Sequence, residues 1–491
     1  MSEAIDIGGG EYAERLQSAE PTFITKIVKP PPGSMSAPTV TTVGIPPLNT
    51  DIRFGEVVPQ FSLSQHPGLA AMDPSSIPDV FDWRNEHPED TSEIAAKKQL
   101  IATPPNQRFC GSCWAIAAAG VIGDNFVVRD LVDWKPEIST TWSLACYPQN
   151  RCAGGNPAKL FETISQSGVV SDHCIDYSWC SENEVCNGSA LKHFDKAKQV
   201  SALNQLNSQI PDCGCYYGGD HYMFYLDKGE TSSIHIGAPG VTEDNIASLV
   251  KKQIYSKGPV LAGYIIFSNF MSGKFTGING GVYLENIDYE KSEGGEIIFN
   301  EEIRKGGQYY NGSHAISVIG WGIEKDVLVA PGKKEEVPYW YCRNSWGEKW
   351  GTDGGYFKMA MYPWNKVSQF DMLATVPGKN GAPVKAGGFV FINASQAPKQ
   401  MTMKEVSKQY QTMKKQRDDK FYQPGIKPDS EVKKGGIKLP DLNWKKIGAI
   451  SGILILIVVL AIATYYLVKG IKFPSFFGSG GGRRGVYRFK T

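Results

Sequence analysis

The stretch that decides the fold is Gln107-Arg108-Phe109-Cys110-Gly111-Ser112-Cys113-Trp114-Ala115. Apolar residues follow it at helical spacing, so we expect a helix over Cys113–Val128 with Cys113 in its first turn. A helix N-terminus stabilises a thiolate, and a neighbouring imidazolium lowers the thiol pKa further. The small pair Gly111-Ser112 lets another backbone approach closely. Cys113 is therefore a candidate nucleophile, although a lone cysteine is more often a small buried apolar side chain.

This stretch resembles the signature around the nucleophilic cysteine of papain-family peptidases. In that family a glutamine six residues before the cysteine donates its amide to the oxyanion, and 113 − 107 = 6 assigns this role to Gln107. Residues 311–322, NGSHAISVIGWG, are similar to the histidine segment of the family. The resemblance implies that His314 is the base.

Residues 339–347, YWYCRNSWG, are similar to the asparagine segment of the same family. The resemblance implies that Asn344 orients the imidazole of His314 and that Trp346 shields their hydrogen bond from water. Alone, His314 would more often be a structural histidine, and an Asn-Ser pair would be ordinary turn chemistry. Their order along the chain, each within a matching segment, favours the catalytic interpretation.

The resemblance covers residues 77–376 and implies an α+β, papain-like two-lobed fold, with a helical lobe and a β-barrel-like lobe. Within the family the sequence looks most like cathepsin B, and Gly154-Gly155 would then line the substrate cleft, with a plain tight turn as the alternative. Cathepsin B has an occluding loop whose histidines hold a substrate carboxylate. The corresponding residues 180–186, CSENEVC, are acidic and lack histidine, so we expect an endopeptidase.

Periodicity predicts the other elements of this domain. A second helix is expected at Asn245–Ser256. The predicted strands are Val260–Phe267, Ala315–Trp321, Tyr339–Arg343 and Gly355–Met359. Two polar insertions, residues 284–310 and 325–337, are expected to rim the cleft.

Four further segments flank the predicted domain. Residues 1–76 are Pro-rich and are expected to be a flexible arm, with a propeptide as the alternative. Residues 377–446 are Lys-, Gly- and Pro-rich and predict a stalk. Residues 447–468 carry no charge and would reach ~33 Å as a helix, which predicts a single membrane span. Residues 469–491 form a basic tail.

Charge and cysteine content limit which partners and which cellular compartment are expected. The 51 Lys+Arg nearly balance the 50 Asp+Glu without a basic cluster in the globular part, so no nucleic-acid partner is expected. The N-terminus lacks the pattern of a secretory signal peptide. Apart from Cys113 and Cys342, eight of the ten cysteines remain, which allows 105 pairings. The family resemblance implies the Cys110–Cys152 bridge.

Disulfides are unexpected in a chain that lacks a secretory signal. A large DNA virus with an internal membrane and its own thiol oxidation would account for both features, which we state as a hypothesis. A zinc site is the rival use of the cysteines, but they do not form paired CxxC knuckles, so neither a metal nor a cofactor is expected. The predicted function is hydrolysis of peptide bonds in protein or peptide substrates by a membrane-anchored enzyme. The alternative is a non-catalytic, membrane-anchored binding or structural protein that retains the fold.

Overall fold

The computed structural model describes residues 26–27, 40–41, 61–147, 151–181, 186, 205–217, 220–234, 238–293, 295–300, 303, 310–361, 375–377, 383–385, 388–409 and 411. All of them belong to one compact unit, residues 1–421, and a second unit, residues 422–491, lies outside the described residues. The predicted membrane span at residues 447–468 and the basic tail are in that second unit. Within the described ranges, no helix is both long enough and apolar enough to cross a bilayer.

Helices come early in the chain and most strands come late, as expected for an α+β domain. The helices that build the domain are α1 (Pro67–Ala71), α2 (Ser92–Lys98), α3 (Cys113–Val128), α4 (Thr140–Cys146), α5 (Pro157–Ser167), α6 (Ser178–Ser181) and α7 (Ile246–Lys257). The strands are β1 (Lys26–Ile27), β2 (Val40–Thr41), β3 (Phe81–Asp82), β4 (Val169–Val170), β5 (His221–Phe224), β6 (Ser232–Ile234), β7 (Val260–Phe267), β8 (Val282–Tyr283), β9 (Tyr310–Ala330), β10 (Lys333–Arg343), β11 (Tyr356–Ala360), β12 (Thr375–Pro377), β13 (Pro383–Lys385), β14 (Gly388–Phe391) and β15 (Lys399–Met401).

Helix α3 is the central helix and has the predicted bounds. It is buried on nearly every side, because its alanines and aliphatic residues pack against strands β7 and β9. Its two buried polar side chains near the C-terminal end are both paired. Asn125 donates to the carbonyl of Lys257 at 2.7 Å, and Asp124 accepts from Arg343 at 2.8 Å. The rigid packing of α3 holds its first residue, Cys113, in a defined place.

The main sheet faces this helix. Its described strands run in the order β6-β14-β7-β9-β10-β11-β8, with β3 pairing on the edge of β9. All pairs are antiparallel except β11 with β8. Gly320 of β9 pairs with Asp82 of β3, and a Cβ on Gly320 would lie 2.2 Å from the carbonyl oxygen of Phe81. Only glycine allows the two backbones to approach this closely.

Strands β9 and β10 are longer than predicted and form one extended hairpin. The second insertion, residues 325–337, belongs to this hairpin and pairs across the turn at Pro331-Gly332. The far part of the hairpin contacts residues 279–286, since Asn279 donates to the Leu328 carbonyl at 2.9 Å and Asn286 donates to the Val329 carbonyl at 3.3 Å. That residues 325–337 rim the cleft stays a prediction.

The folded part of the chain exceeds the predicted domain, residues 77–376, at both ends. Phe61 is fully buried and packs edge to face on Phe391 of β14, with ring centroids 5.6 Å apart. Strand β14 lies inside the main sheet between β6 and β7. Residues 61–76 of the predicted arm and residues 388–401 of the predicted stalk thus contribute to the core or its flanking sheets. The contribution of these segments to the fold was not predicted, because their apolar runs are short and lie within Gly- and Pro-rich sequence.

Four disulfides join cysteines of the helical part, namely Cys110–Cys152, Cys146–Cys213, Cys174–Cys215 and Cys180–Cys186. The first of them is the bridge implied by the family resemblance. Cys342 is a free, buried cysteine of strand β10, and Cys113 is free and partly exposed. The resemblance thus assigned one pair, and the fold brings the other three together.

Candidate active site

Cys113 begins helix α3 and lies against strand β9. Ser112 precedes it at the N-cap position. The backbone N–H of Ala315, the residue after His314 in β9, faces the thiol and acts to lower its pKa. Cys113 therefore lies next to the start of the strand that carries the histidine, although the two are 201 residues apart in the sequence.

His314 is oriented by residues from two other parts of the sheet. In β9 it pairs with Tyr264 of β7, whose ring is edge-on to the imidazole at 6.0 Å between centroids. Its Nε2 lies 2.8 Å from Oδ1 of Asn344, which follows strand β10. Because an amide oxygen can only accept, Nε2 carries the proton in this bond. Nδ1 is then the nitrogen that can accept a proton.

Trp346 covers the pair formed by His314 and Asn344. The ring centroids of Trp346 and His314 are 4.8 Å apart, and both residues are 3% exposed. Asn344 is 1% exposed, and its Oδ1 also accepts from the backbone N–H of Ser345 at 2.8 Å. A hydrogen bond in so dry an environment is stronger than one in water. His314, Asn344 and Trp346 are thus in mutual contact, and the roles that the family resemblance implies for them stay predictions.

Gln107 is held beside the same turn. Its Oε1 accepts from the hydroxyl of Ser345 at 2.6 Å, its backbone N–H donates to the Ser345 carbonyl at 2.8 Å, and its Nε2 donates to the Cys110 carbonyl at 3.0 Å. The Ser345 hydroxyl therefore determines which end of the Gln107 amide faces Cys110. Ser345 has no role predicted from the sequence, although it lies inside the segment that contains Asn344.

Burial shifts the pKa values of both candidate reacting groups. It raises the pKa of the Cys113 thiol, against a smaller lowering by backbone N–H groups such as that of Ala315. It lowers the pKa of His314 to about 4, although the hydrogen bond to Asn344 acts in the opposite direction. Taken singly, both groups are neutral at pH 7, whereas a thiolate–imidazolium pair was expected. A charged pair forms only if the two opposite charges stabilise each other.

The predicted substrate-binding glycines lie close to the nucleophile segment. Gly154 has φ +98°, which favours glycine. A Cβ on Gly111 would lie 2.5 Å from the carbonyl oxygen of Cys152, and the Gly111 N–H donates to that oxygen at 3.0 Å. The Cys110–Cys152 disulfide thus joins the segment before Cys113 to the loop that contains Gly154-Gly155.

The acidic segment at residues 180–186 begins next to Gln107. The disulfide sulfur of Cys180 lies 3.7 Å from the Gln107 carbonyl oxygen, and the Phe109 N–H donates to the Cys186 carbonyl at 3.0 Å. Residues 182–185 lie outside the described residues. One end of the segment therefore contacts Gln107, and the other contacts Phe109, two residues further along the chain.

Tyr177 contacts the candidate active site, although no sequence pattern predicted it. Its hydroxyl lies 2.8 Å from the Ser112 hydroxyl and donates to the Gln107 carbonyl at 3.1 Å. It bridges the residues that precede the candidate nucleophile and the candidate oxyanion donor. A lone tyrosine 65 residues after Ser112 carries no pattern from which this contact could be predicted.

Comparison with known proteins identifies the family of this chain. The profile described as "Papain family cysteine protease" matches residues 77–215 and 247–373, which is more than half of the chain. The chain belongs to the papain family of cysteine proteases. A probable cysteine proteinase of Invertebrate iridescent virus 3 is 45% identical over 379 residues, covering 74% of this chain and 75% of that protein.

Two further proteins are similar to this chain. A probable cysteine proteinase of Invertebrate iridescent virus 6 is 41% identical over 379 residues, covering 72% of this chain and 68% of that protein. A solved structure of procathepsin B from Trypanosoma congolense aligns with 80% of this chain and 99% of that one, at 16% identity and a TM-score of 0.40. Viral cysteine proteinases are thus among the relatives of this papain-family chain.

Proposed function

We propose that this papain-family protease is a membrane-anchored endopeptidase in which Cys113 is the nucleophile, His314 the base, Asn344 the residue that orients it and Gln107 an oxyanion donor. The observation that carries the proposal is the shielded hydrogen bond of 2.8 Å from His314 to Asn344, beside the helix N-terminus that holds Cys113. That bond leaves Nδ1 of His314 free to take the thiol proton.

The proposed reaction is acyl transfer in two stages. His314 takes the Cys113 proton as the sulfur attacks a peptide carbonyl, and the Gln107 amide with the Cys113 backbone N–H stabilises the oxyanion. His314 then gives its proton to the leaving amine as the C–N bond breaks. Water, deprotonated by His314, hydrolyses the thioester and releases the second product and the thiol. The lowered pKa of His314, which burial causes, suits this sequence, because a neutral imidazole can accept the thiol proton.

The roles of Cys113 and His314 are tested with an epoxide that traps thiolates. The thiol sulfur opens the epoxide, a C–S bond replaces a C–O bond, and the alkoxide takes a proton. We expect one adduct on Cys113 by intact mass and peptide mapping of the full chain, and strongly slowed labelling in His314→Ala. Cys342 is an internal control, because it is free but fully buried. Equal labelling rates with and without His314 would refute the assignment.

Endopeptidase action is supported by the sequence of residues 180–186, which is acidic and lacks histidine. Glu182 and Glu184 would repel a substrate C-terminal carboxylate rather than bind it. We expect a peptide with a free C-terminus and its amidated form to be cleaved at the same internal bonds, measured by mass spectrometry. Stepwise removal of dipeptides from only the free form would refute this part of the proposal.

Membrane anchoring is supported by the uncharged run at residues 447–468. The measurement is flotation with neutral lipid vesicles, comparing the full chain with a chain that ends at residue 446. We expect only the full chain to float and both to be labelled by the epoxide at Cys113. If the shortened, labelled chain still floats with the vesicles, the anchor is elsewhere or absent.

A further inference from the structure

A second cluster of reactive side chains lies away from the candidate active site. The sulfurs of Cys174 and Cys215 and a ring nitrogen of His221 all lie within 4.8 Å of one another. Cys174 and His221 are almost fully buried. Cys174 follows strand β4, Cys215 precedes strand β5, and His221 begins β5, so the fold brings the three together from separate segments.

One nitrogen of His221 has a clear role and the other has none. Nε2 lies 3.1 Å from the Tyr217 carbonyl oxygen and 3.1 Å from the sulfur of Met403. Because a carbonyl oxygen only accepts, Nε2 carries the ring proton. Nδ1 is then a bare lone pair, and it is buried without a hydrogen-bond partner. A buried acceptor without a partner costs about 1–3 kcal/mol, so its position calls for an explanation.

A metal ion bound at Nδ1 supplies that explanation. Histidines that bind a metal almost always donate their other ring N–H to a backbone carbonyl, carboxylate or water, which fixes the tautomer. His221 makes this outer contact with the Tyr217 carbonyl. Two cysteine sulfurs and one imidazole nitrogen are a ligand set that zinc accepts, with a fourth ligand still to be added. His173 is a candidate for that ligand, with its ring centroid 5.8 Å from that of His221.

The two cysteines are joined in the structure as the Cys174–Cys215 disulfide. A disulfide sulfur is a poor ligand, because zinc binds the thiolate. Two molecules of a small thiol, which become its disulfide, or one phosphine with one water, which become the phosphine oxide, convert the bridge into two thiols. Zinc then displaces both thiol protons as it binds.

We propose that Cys174, Cys215 and His221 form a Zn²⁺ site when the Cys174–Cys215 bridge is reduced. The same residues thus hold strands β4 and β5 together by a covalent bond under oxidising conditions and by a metal under reducing conditions. Cysteine spacing excluded paired CxxC knuckles but could not reveal this site, because its third ligand is a histidine brought in by strand β5. The site is distinct from the candidate active site at Cys113 and His314.

The test uses the full chain carrying Cys113→Ala, which removes the active-site thiol as a competing zinc ligand and prevents self-digestion. The protein is reduced with a phosphine, the reductant is removed, and N-ethylmaleimide is added with and without Zn²⁺. Peptide mapping then measures labelling at each cysteine. We expect Zn²⁺ to protect Cys174 and Cys215 but not Cys180 and Cys186, which are a matched pair from another reduced bridge.

His221→Ala in the same background should weaken zinc binding by at least ~10–100-fold in competition with a chromogenic chelator. His87→Ala is the matched control, since His87 lies elsewhere and contacts Asp82 at 3.1 Å. Unchanged affinity in His221→Ala overturns the proposal. If that variant does not fold, the labelling pattern of the His221-containing protein decides. Equal protection of both cysteine pairs, or protection of neither, then overturns it.

Discussion

Replacing Asp124 by asparagine should destabilise the protein strongly, because it removes the carboxylate that pairs with the buried guanidinium of Arg343. The two groups are 2.8 Å apart, and their side chains are 1% and 2% exposed. Arg343 also donates to the Ala102 carbonyl at 2.6 Å and to the Ser317 hydroxyl at 3.1 Å. This network joins helix α3, which carries Cys113, to strands β9 and β10.

The magnitude follows from burial. Removing one partner of a buried pair leaves an uncompensated charge and costs ~3–5 kcal/mol. Burial raises the pKa of Asp124, and the charge of Arg343 opposes that shift, so each group depends on the other. Lys97 and Glu93 form the contrasting pair at 2.8 Å, with the glutamate side chain 72% exposed. Glu93→Gln should therefore cost no more than ~0.5 kcal/mol.

The assay is urea unfolding of the oxidised protein, followed by tryptophan fluorescence. Asp124→Asn and Glu93→Gln are compared with the unsubstituted chain at one pH. A double variant, Asp124→Leu with Arg343→Met, should recover part of the loss, because it leaves no charge buried. If Asp124→Asn and Glu93→Gln change the free energy of unfolding equally, burial does not determine the cost, and the reasoning fails.

Three further predictions concern catalysis, pH and the sheet. Gln107→Ala should lower kcat/KM for a peptide by ~10²–10³, because the tetrahedral oxyanion loses a donor. Epoxide labelling of Cys113 should keep its rate, because ring opening forms no tetrahedral carbonyl intermediate, and parallel losses in both assays would argue for misfolding instead. Burial and two neighbouring carboxylates raise the pKa of Asp172 to about 7, above its unfolded value of ~3.9. The stability contributed by this protonated group is present below ~pH 4 and is lost as pH rises through 7. In Asp172→Asn, the free energy of unfolding in urea should therefore change less with pH between pH 5 and 8. An unchanged dependence on pH would contradict this. Gly320→Ala should lower the free energy of unfolding by ~1–3 kcal/mol in the same assay, because its Cβ would lie 2.2 Å from a carbonyl oxygen of β3. An unchanged free energy of unfolding would show that β3 can move away.

Local pattern was sufficient for the parts of this protein whose signal lies within one segment. The bounds of helix α3 follow from its apolar spacing, and strand β7 has the predicted range Val260–Phe267. Helix α7 begins and ends one residue later than predicted. The motif segments also placed His314, Asn344 and Trp346 in mutual contact, because each segment begins or ends a strand of the same sheet.

Long-range pairing was not accessible from local pattern. Strand β14 pairs with β6 and β7 in the main sheet. Its Phe389, Val390 and Phe391 favour a strand, but the run is short and its flanking sequence is typical of a linker. The length of the β9–β10 hairpin was missed for a related reason, since charged residues on an exposed hairpin resemble those of a loop.

The sequence by itself determined the family, the central helix and the residues proposed for catalysis, because each of these residues lies within a short segment that local pattern identifies. Only the tertiary structure decided how those groups are surrounded. The neutral state of the isolated Cys113 and His314, the Ser345 contact to Gln107 and the cluster at His221 all depend on burial and on atoms distant in the chain. Desolvation and close approach are properties of the packed protein, and no local pattern encodes them.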